Sequence, residues 1–462
     1  MKYLLGIDNG LTAIKAALFD TEGKRIRTAC RYTPISGDEI DMEQLWQRTA
    51  ECIREAAGSD GENIIAVANS GHGNGLYAVD KDLNPVYSAI TSMTKRPKNI
   101  DDVSEDLFAK TMQKVWEGQP AFILRWIKEN DPEVYKKIYK FMLCKDYIRL
   151  RLTGKITSDY TDMSAAGLIN NITKEYDREI FRLIRIDEMY DALPELRKST
   201  EIAGRVTHAA AQITGIAEGA PVAGGMFDVN ACVLGSGALN CYGIIAGTWG
   251  VNAAVSDMPR SSREILQCCI FADNKKYICI ESAPNSAGNL EWFMKKILNE
   301  SDFAEADRIV ESTPGNEVFY FPYIYGTLMS GSFLGLKASH GKGDMLRAVF
   351  EGICFEHRLQ IGRIKKAGIK LKSAVLSGGA ASSEVWSQMF ADVLEIPVCV
   401  MQEKQAGTLG AAAAAAVCGG VYKDIYEAAE HMVKTEKKYL PQKDYSEKYA
   451  KYKKYVRRLK GI

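Results

Sequence analysis

The 462-residue sequence holds no apolar run long enough to cross a bilayer, which leaves no expected membrane span. It also lacks an excess of charge of either sign: 59 Lys and Arg stand against 58 Asp and Glu, so no overall field draws the chain to nucleic acid or an anionic surface. The opening MKYLLGIDNG loses its apolar character too early for a secretory leader, and a cytoplasmic protein is expected. Histidine is scarce, with five scattered residues. None of the eleven cysteines forms a CxxC pair, so neither a zinc site nor a disulfide framework is expected. Any metal should therefore be oxygen-ligated. Two familiar chemistries fail as well: Gly341-Lys342 is followed by Gly343 instead of Ser or Thr, and no GxSxG elbow occurs, which disfavours a Walker-type ATPase and a serine hydrolase.

What is present is a soluble-type composition, 46% hydrophobic and 25% charged, in a chain long enough for two large domains. Tyr3 to Ile7 reads as an apolar strand ending at Asp8-Asn9-Gly10, a tight-turn signal, with returning strands at Thr12–Phe19 and Arg27–Tyr32. A second strand, turn and strand recurs around Gly247-Thr248-Trp249-Gly250, which suggests two domains on one plan. Amphipathic stretches such as Met42–Ala57 and Phe122–Lys128 would cover a sheet, and the class is α/β. Further helices are expected at Asp344–Lys366, Ser383–Leu394 and Gly407–Val417, the last packed closely against a neighbour through its alanines. The Lys- and Tyr-rich tail from Tyr439 reads as a solvated helix. The domain boundary is placed at 236/237.

Five segments could carry chemistry. In GIDNGLTAIKAALFD, Asp8 ends a strand and Thr12 and Lys15 flank a turn whose amides could receive phosphate oxygens, with Asp8 holding magnesium through water; an ordinary hairpin explains the same letters. The Gly247-Thr248 turn suits a terminal phosphate. Ser377-Gly378-Gly379 lies between strand and helix and could admit an adenosine. In Gly224-Gly225-Met226-Phe227-Asp228 the acid follows a flexible loop, as a general base or as the N-cap of a helix starting at Val229. The loop Ser70-Gly71-His72-Gly73-Asn74-Gly75 spaces its glycines as GxGxG, unlike a dinucleotide fingerprint, and offers polar groups to a polyol.

Taken in order, these segments resemble the FGGY carbohydrate kinases. So do Lys145-Asp146-Tyr147, Leu152-Thr153-Gly154, Ser158-Asp159 to Ala165, and Phe321-Pro322-Tyr323 to Gly326. The resemblance implies two ribonuclease H-like (actin/hexokinase-type) domains flanking an active-site cleft. Residues 1–236 would carry the sugar site, the first phosphate turn and the base, and residues 237–462 the nucleotide. It implies transfer of the γ-phosphate of ATP to a ketopentose or small polyol, with Asp228 as base, Asp8 near Mg²⁺, and Thr12, Lys15, Gly247, Thr248, Gly326, Gly378, Gly379 and Ser383 around the nucleotide. His72, Gly73, Trp116, Gln119 and Asp228 would meet the sugar. Sugar and ATP are the expected partners, and a homodimer is left open. At Ser92-Met93-Thr94-Lys95-Arg96 the family's Trp-x-Asp-x-Arg retains only Arg96, and the GHGNG loop resembles the L-xylulose and erythritol kinase branches most. A non-transferring ATPase or sugar-sensing module on the same fold is the other open reading, and it would need no base at Asp228.

Overall fold

A computed structural model describes residues 1–325 and 329–459. They separate into two units, one comprising Met1–Gly237, Val255–Cys279 and Gln405–Val433, the other Ala238–Ala254, Ile280–Lys404 and Lys434–Ile462. Gly326 lies outside the described residues.

The first unit contains the expected meander. Strand Tyr3–Asn9 pairs antiparallel with Ala13–Asp20, which pairs antiparallel with Arg25–Tyr32. The reversal falls later than the Asn-Gly signal implied. Asn9 still pairs with Ile14, and the Gly10 N–H donates to the Ala13 carbonyl. The Asn9 side chain is buried and its Nδ2 donates to Thr49 Oγ1 at 2.9 Å, which holds it in the strand and passes the turn to Gly10–Ala13. Helix Met42–Ala57 then covers the sheet. Asp41 accepts from the Gln44 N–H at its start, and Leu45, Trp46, Thr49, Ala50 and Ile53 form its buried face at helical spacing.

Three strands of this sheet run parallel and end at one edge. Tyr3–Asn9 pairs with Ile64–Gly71, matching Asp8 to Ser70, and Ile64–Gly71 pairs with the short strand Met226–Phe227, matching Met226 to Ser70. Open α/β sheets bind ligands beyond such carboxyl ends. Asp8, the glycine loop from Gly71 and Asp228 all leave the sheet there. Helix Ala406–Cys418, close-packed as expected, lies against Tyr3–Asn9 and against helix Asp228–Gly235. Glycines on both sides of the contact are required: a Cβ on Gly410 of the helix would stand 1.9 Å from the Ala231 carbonyl oxygen, and one on Gly6 of the strand 1.9 Å from that of Thr408.

The second unit repeats the plan. Strand Tyr242–Ala246 is antiparallel to Gly250–Ser256 and parallel to Ala374–Ser377, which is parallel to Val398–Met401, and Thr435–Tyr439 adds an antiparallel edge. A central strand with an antiparallel neighbour on one side and a parallel one on the other is thus common to both units, as the ribonuclease H-like expectation required. Helices Lys342–Lys366 and Glu384–Leu394 cover this sheet. The tail helix, Ser446–Leu459, departs from the solvated reading. Tyr449, Tyr452 and Val456 are buried at i, i+3 and i+7, and the Tyr452 hydroxyl donates to Glu356 Oε1 at 2.7 Å.

Candidate active site

Asp8 occupies the end of the first strand, opposite Lys15 of the second. Its Oδ1 accepts from the Ser70 hydroxyl at 2.9 Å, and its Oδ2 faces helix Ala406–Cys418, where a Cβ on Gly407 would come within 2.6 Å. Burial pushes the Asp8 carboxyl up, opposed by the positive charge of Lys15 and the Ser70 hydrogen bond. Lys15, the one cation inserted among apolar neighbours of its strand, therefore acts on Asp8. Thr12 stands on the exposed hairpin turn.

Asp228 is the first residue of helix Asp228–Gly235, and Phe227, not Asp228, occupies the cap position. The helix thus begins one residue earlier than the capping reading required. Asp228 Oδ1 is shielded from solvent and has no hydrogen-bond partner among the described residues. Burial foremost, and then the Asp8 carboxylate, raise its pKa to about 7 against the opposing effect of a backbone hydrogen bond at Val229. A carboxylate that titrates near neutrality and has an uncommitted oxygen can take a proton. The glycines before it are tightly held: a Cβ on Gly224 would lie 2.3 Å from the Lys198 carbonyl oxygen, and one on Gly225, at φ +71°, 2.2 Å from that of Asn69.

The glycine loop reaches the same place. The His72 N–H donates to the Asn9 carbonyl at 2.9 Å, and a Cβ on Gly73 would penetrate the Phe227 ring at 2.0 Å. His72 is buried, its Nε2 lies 2.9 Å from the Tyr77 hydroxyl, and burial lowers its pKa to about 4, so the ring is neutral at physiological pH. Its Nδ1 and the Asn74 Oδ1 are buried without partners among the described residues. The Gly75 N–H donates to the Gly118 carbonyl, which joins this loop to the segment carrying Trp116 and Gln119. Trp116 is half-buried. Gln119 accepts from the Trp116 N–H and donates to Gln113 Oε1, both at 3.3 Å, so its amide braces that segment. Arg96 is committed elsewhere, to Asp38 at 2.7 Å and Glu39 at 2.6 Å, with its guanidinium over the Trp126 ring.

Sequence reasoning gave no role to the group beneath Asp228. Lys145, Asp146, Arg149, Asp159 and Asp162 are all buried. Lys145 Nζ lies 2.8 Å from Asp159 and 3.3 Å from Asp162, while Arg149 lies 2.8 Å from Asp146. Burial opposes the Lys145 charge, but the three aspartates outweigh it and hold its pKa raised. Asp162 is pushed well up by burial despite Lys145, with Asp146, Asp159 and Asp228 adding to the rise. The sequence offers Lys145-Asp146-Tyr147 and Ser158-Asp159 only as points of family resemblance, and only tertiary packing shows their charges to be interior.

In the second unit, the turns after Tyr242–Ala246 and Ala374–Ser377 lie side by side because Ile245 pairs with Ser377. Gly247 and Thr248 form one turn, with Thr248 exposed. Gly378 has φ +82° and packs so that a Cβ would stand 2.7 Å from the Ala246 carbonyl oxygen, whereas a Cβ on Gly379 would come no nearer than 4.0 Å to it. Ser383 is already employed. It accepts from the Trp386 N–H as the cap of helix Glu384–Leu394 and donates to Asp307 at 2.7 Å.

The donor set suits a hard cation only as an outer ligand. No cluster of three His, Cys, Asp or Glu able to hold a metal exists among the described residues. Asp8 and Asp228 nevertheless repel each other, so a cation carried by phosphates and water, met by Asp8, fits the charge they leave.

Comparison with known proteins accords with this geometry. Residues 3–235 match the N-terminal domain of the FGGY family of carbohydrate kinases and residues 242–418 its C-terminal domain. The chain is 33% identical to the L-xylulose/3-keto-L-gulonate kinase of Escherichia coli over 100% of this chain and 98% of that protein. It is 32% identical to a probable L-xylulose kinase of Haemophilus influenzae, with 100% of each covered. A ligand-bound xylulose kinase from Lactobacillus acidophilus superposes with a TM-score of 0.88 at 25% identity, covering 98% of this chain and 96% of that one. Two matched domains that together span most of the chain, on a duplicated ribonuclease H-like plan, make this protein a member of the FGGY family of carbohydrate kinases.

Proposed function

We propose that this carbohydrate kinase phosphorylates an open-chain ketopentose of the L-xylulose type, with Asp228 as general base. The substrate class rests on the names of relatives, among them an L-xylulose/3-keto-L-gulonate kinase and a probable L-xylulose kinase. The base rests on one observation: the Asp228 carboxylate has a solvent-shielded, unpartnered oxygen and a pKa of about 7. As a sugar hydroxyl attacks the γ-phosphorus, Asp228 accepts its proton, the bond between that phosphorus and the β,γ-bridging oxygen breaks, and ADP leaves.

Residues 1–236 would supply the sugar site through His72, Gly73, Trp116, Gln119 and Asp228. His72 Nδ1 and Asn74 Oδ1 are the unpartnered groups suited to sugar hydroxyls. Residues 237–462 would supply the nucleotide site, with Gly247 and Thr248 at the phosphates and Gly378 and Gly379 at the nucleoside. Thr12 and Lys15 would face the phosphates from the first hairpin, and Ser383 would act through the helix it caps. Asp8 would meet Mg²⁺ through water, and the ion would supply charge neutralisation of the transferring phosphoryl group. Among the described residues no helix is long and apolar enough to cross a membrane. We place the enzyme in the cytoplasm and leave a homodimer open.

The test is ADP release across a panel of pentuloses, tetritols and glycerol, with wild-type protein and Asp228→Asn. Sugar-dependent release that falls by about 10²- to 10⁴-fold in the variant, with nucleotide affinity retained, is expected of a general base. Release that needs no sugar, or an Asn variant at wild-type rate, would overturn the reading.

A further inference from the structure

The segment Gly224–Asp228 is gripped at both ends by the buried ionic cluster. At its start, Arg149 donates to the Gly224 carbonyl. At its end, the Phe227 N–H donates to Thr161 Oγ1 at 2.9 Å. Thr161 is fully buried in the short helix Tyr160–Ala165, and its hydroxyl proton is committed to Asp159 Oδ2 at 2.6 Å. Asp159 is itself fixed by Lys145, by the Thr161 N–H at 2.8 Å and by the Ser199 hydroxyl at 3.3 Å. With its proton directed to the carboxylate, the Thr161 oxygen can only accept from Phe227, the residue immediately before Asp228. The polarity of the contact is therefore set.

Burying one lysine, one arginine and three aspartates is a poor route to stability, since well-packed apolar residues of the same volume commonly do as well or better. Such a cluster does give geometric definition, because each charge has one arrangement that satisfies it. Here its two backbone contacts on the 224–228 segment both bear on where the Asp228 carboxylate sits. We propose that Thr161 is a positioning residue for Asp228, fixing the base through the Phe227 amide. The proposal rests on Asp228 being the base.

The experiment compares Thr161→Val, which keeps the shape and removes the acceptor, with Thr161→Ser, which restores it, each alone and combined with Asp228→Asn. A misplacement of about 1 Å costs on the order of 10²-fold in rate. Thr161→Val is accordingly expected to lower kcat by about 10- to 100-fold while KM for sugar and Kd for ATP change by less than about threefold. Thr161→Ser should recover most of kcat. In the Asp228→Asn background, Thr161→Val should add little, because the group it positions can no longer accept a proton. An unchanged kcat, a loss confined to KM, failure of serine to restore the rate, or full additivity with Asp228→Asn would each overturn the proposal. Should the valine variant not fold, Thr161→Ala carries the same comparison. An Asp228→Asn enzyme that turns over at the wild-type rate would instead count against the base itself.

Discussion

Gly407 approaches Asp8 so closely that a Cβ there would stand 2.6 Å from the carboxylate Oδ2 and 3.0 Å from Cγ. Gly407 lies in the first turn of helix Ala406–Cys418, where alanine would ordinarily favour the helix by about 1 kcal/mol. Gly407→Ala should therefore show no gain in melting temperature, because the new methyl group must displace Asp8. It should lower kcat by about tenfold or more. A stabilised and fully active variant would show that the Asp8 position is not needed.

The pH dependence of turnover follows from Asp228. Its pKa is raised to about 7, and the proposed base must be ionised to act, so kcat/KM for the sugar should rise with pH through about 7 and level off above it. The same shift has the opposite sign for stability. A carboxyl raised in the folded state contributes stability that is present below its unfolded value and lost as pH rises through about 7. Asp228→Asn, while nearly inactive, should hence melt higher than wild type at pH 8 and more nearly alike at pH 4. A variant that melts lower at pH 8 would contradict the buried, repelled state of this carboxyl.

His72 acts in the other direction. Its folded pKa is depressed to about 4, so the stability it contributes is present above its ordinary value near 6.5 and lost as pH falls toward 4. His72→Gln should flatten the acid limb of the melting curve over that range. An unchanged acid limb would mean that another group governs it.

The adjacent glycines of the second unit should separate stability from binding. Gly378→Ala places a Cβ at φ +82° and 2.7 Å from a carbonyl oxygen, and should lower the melting temperature. Gly379→Val meets no such obstacle, since Ala246 lies 4.0 Å away. It should keep the wild-type melting temperature and lose nucleotide affinity by calorimetry, with sugar affinity retained, as should Thr248→Val. Equal loss of both ligands would argue against these turns as the nucleotide site.

Gly410→Ala should destabilise the first unit by about 1–3 kcal/mol or more, because overpacking against the Ala231 carbonyl leaves no rotamer to adjust. Since Ala231 belongs to the helix that begins at Asp228, kcat should fall with it. Denaturant melts read against activity would check the pair, and a neutral substitution would refute the close packing.

The sequence by itself determined the local structure and the ends of strands where chemistry gathers. The apolar strands of the first hairpin and the helical spacing of Met42–Ala57 read out directly. These signals depend on neighbours a few residues away. The buried face of the tail helix at Tyr449, Tyr452 and Val456 was not legible, because its lysines suggested solvent on every side. Tertiary structure alone decided the rest. The Asn9 contact with Thr49, 40 residues on, moved the turn. The parallel pairing of three distant strands buried Asp228 and set Asp8 beside it, and burial first and that charge second raise the pKa of the Asp228 carboxyl. Lys145 and its aspartates became an interior support, and Arg96 was drawn to Asp38 and Glu39. Burial and charge pairing belong to groups far apart in the chain, and they fix a side chain's chemistry only once folding has removed water from between them.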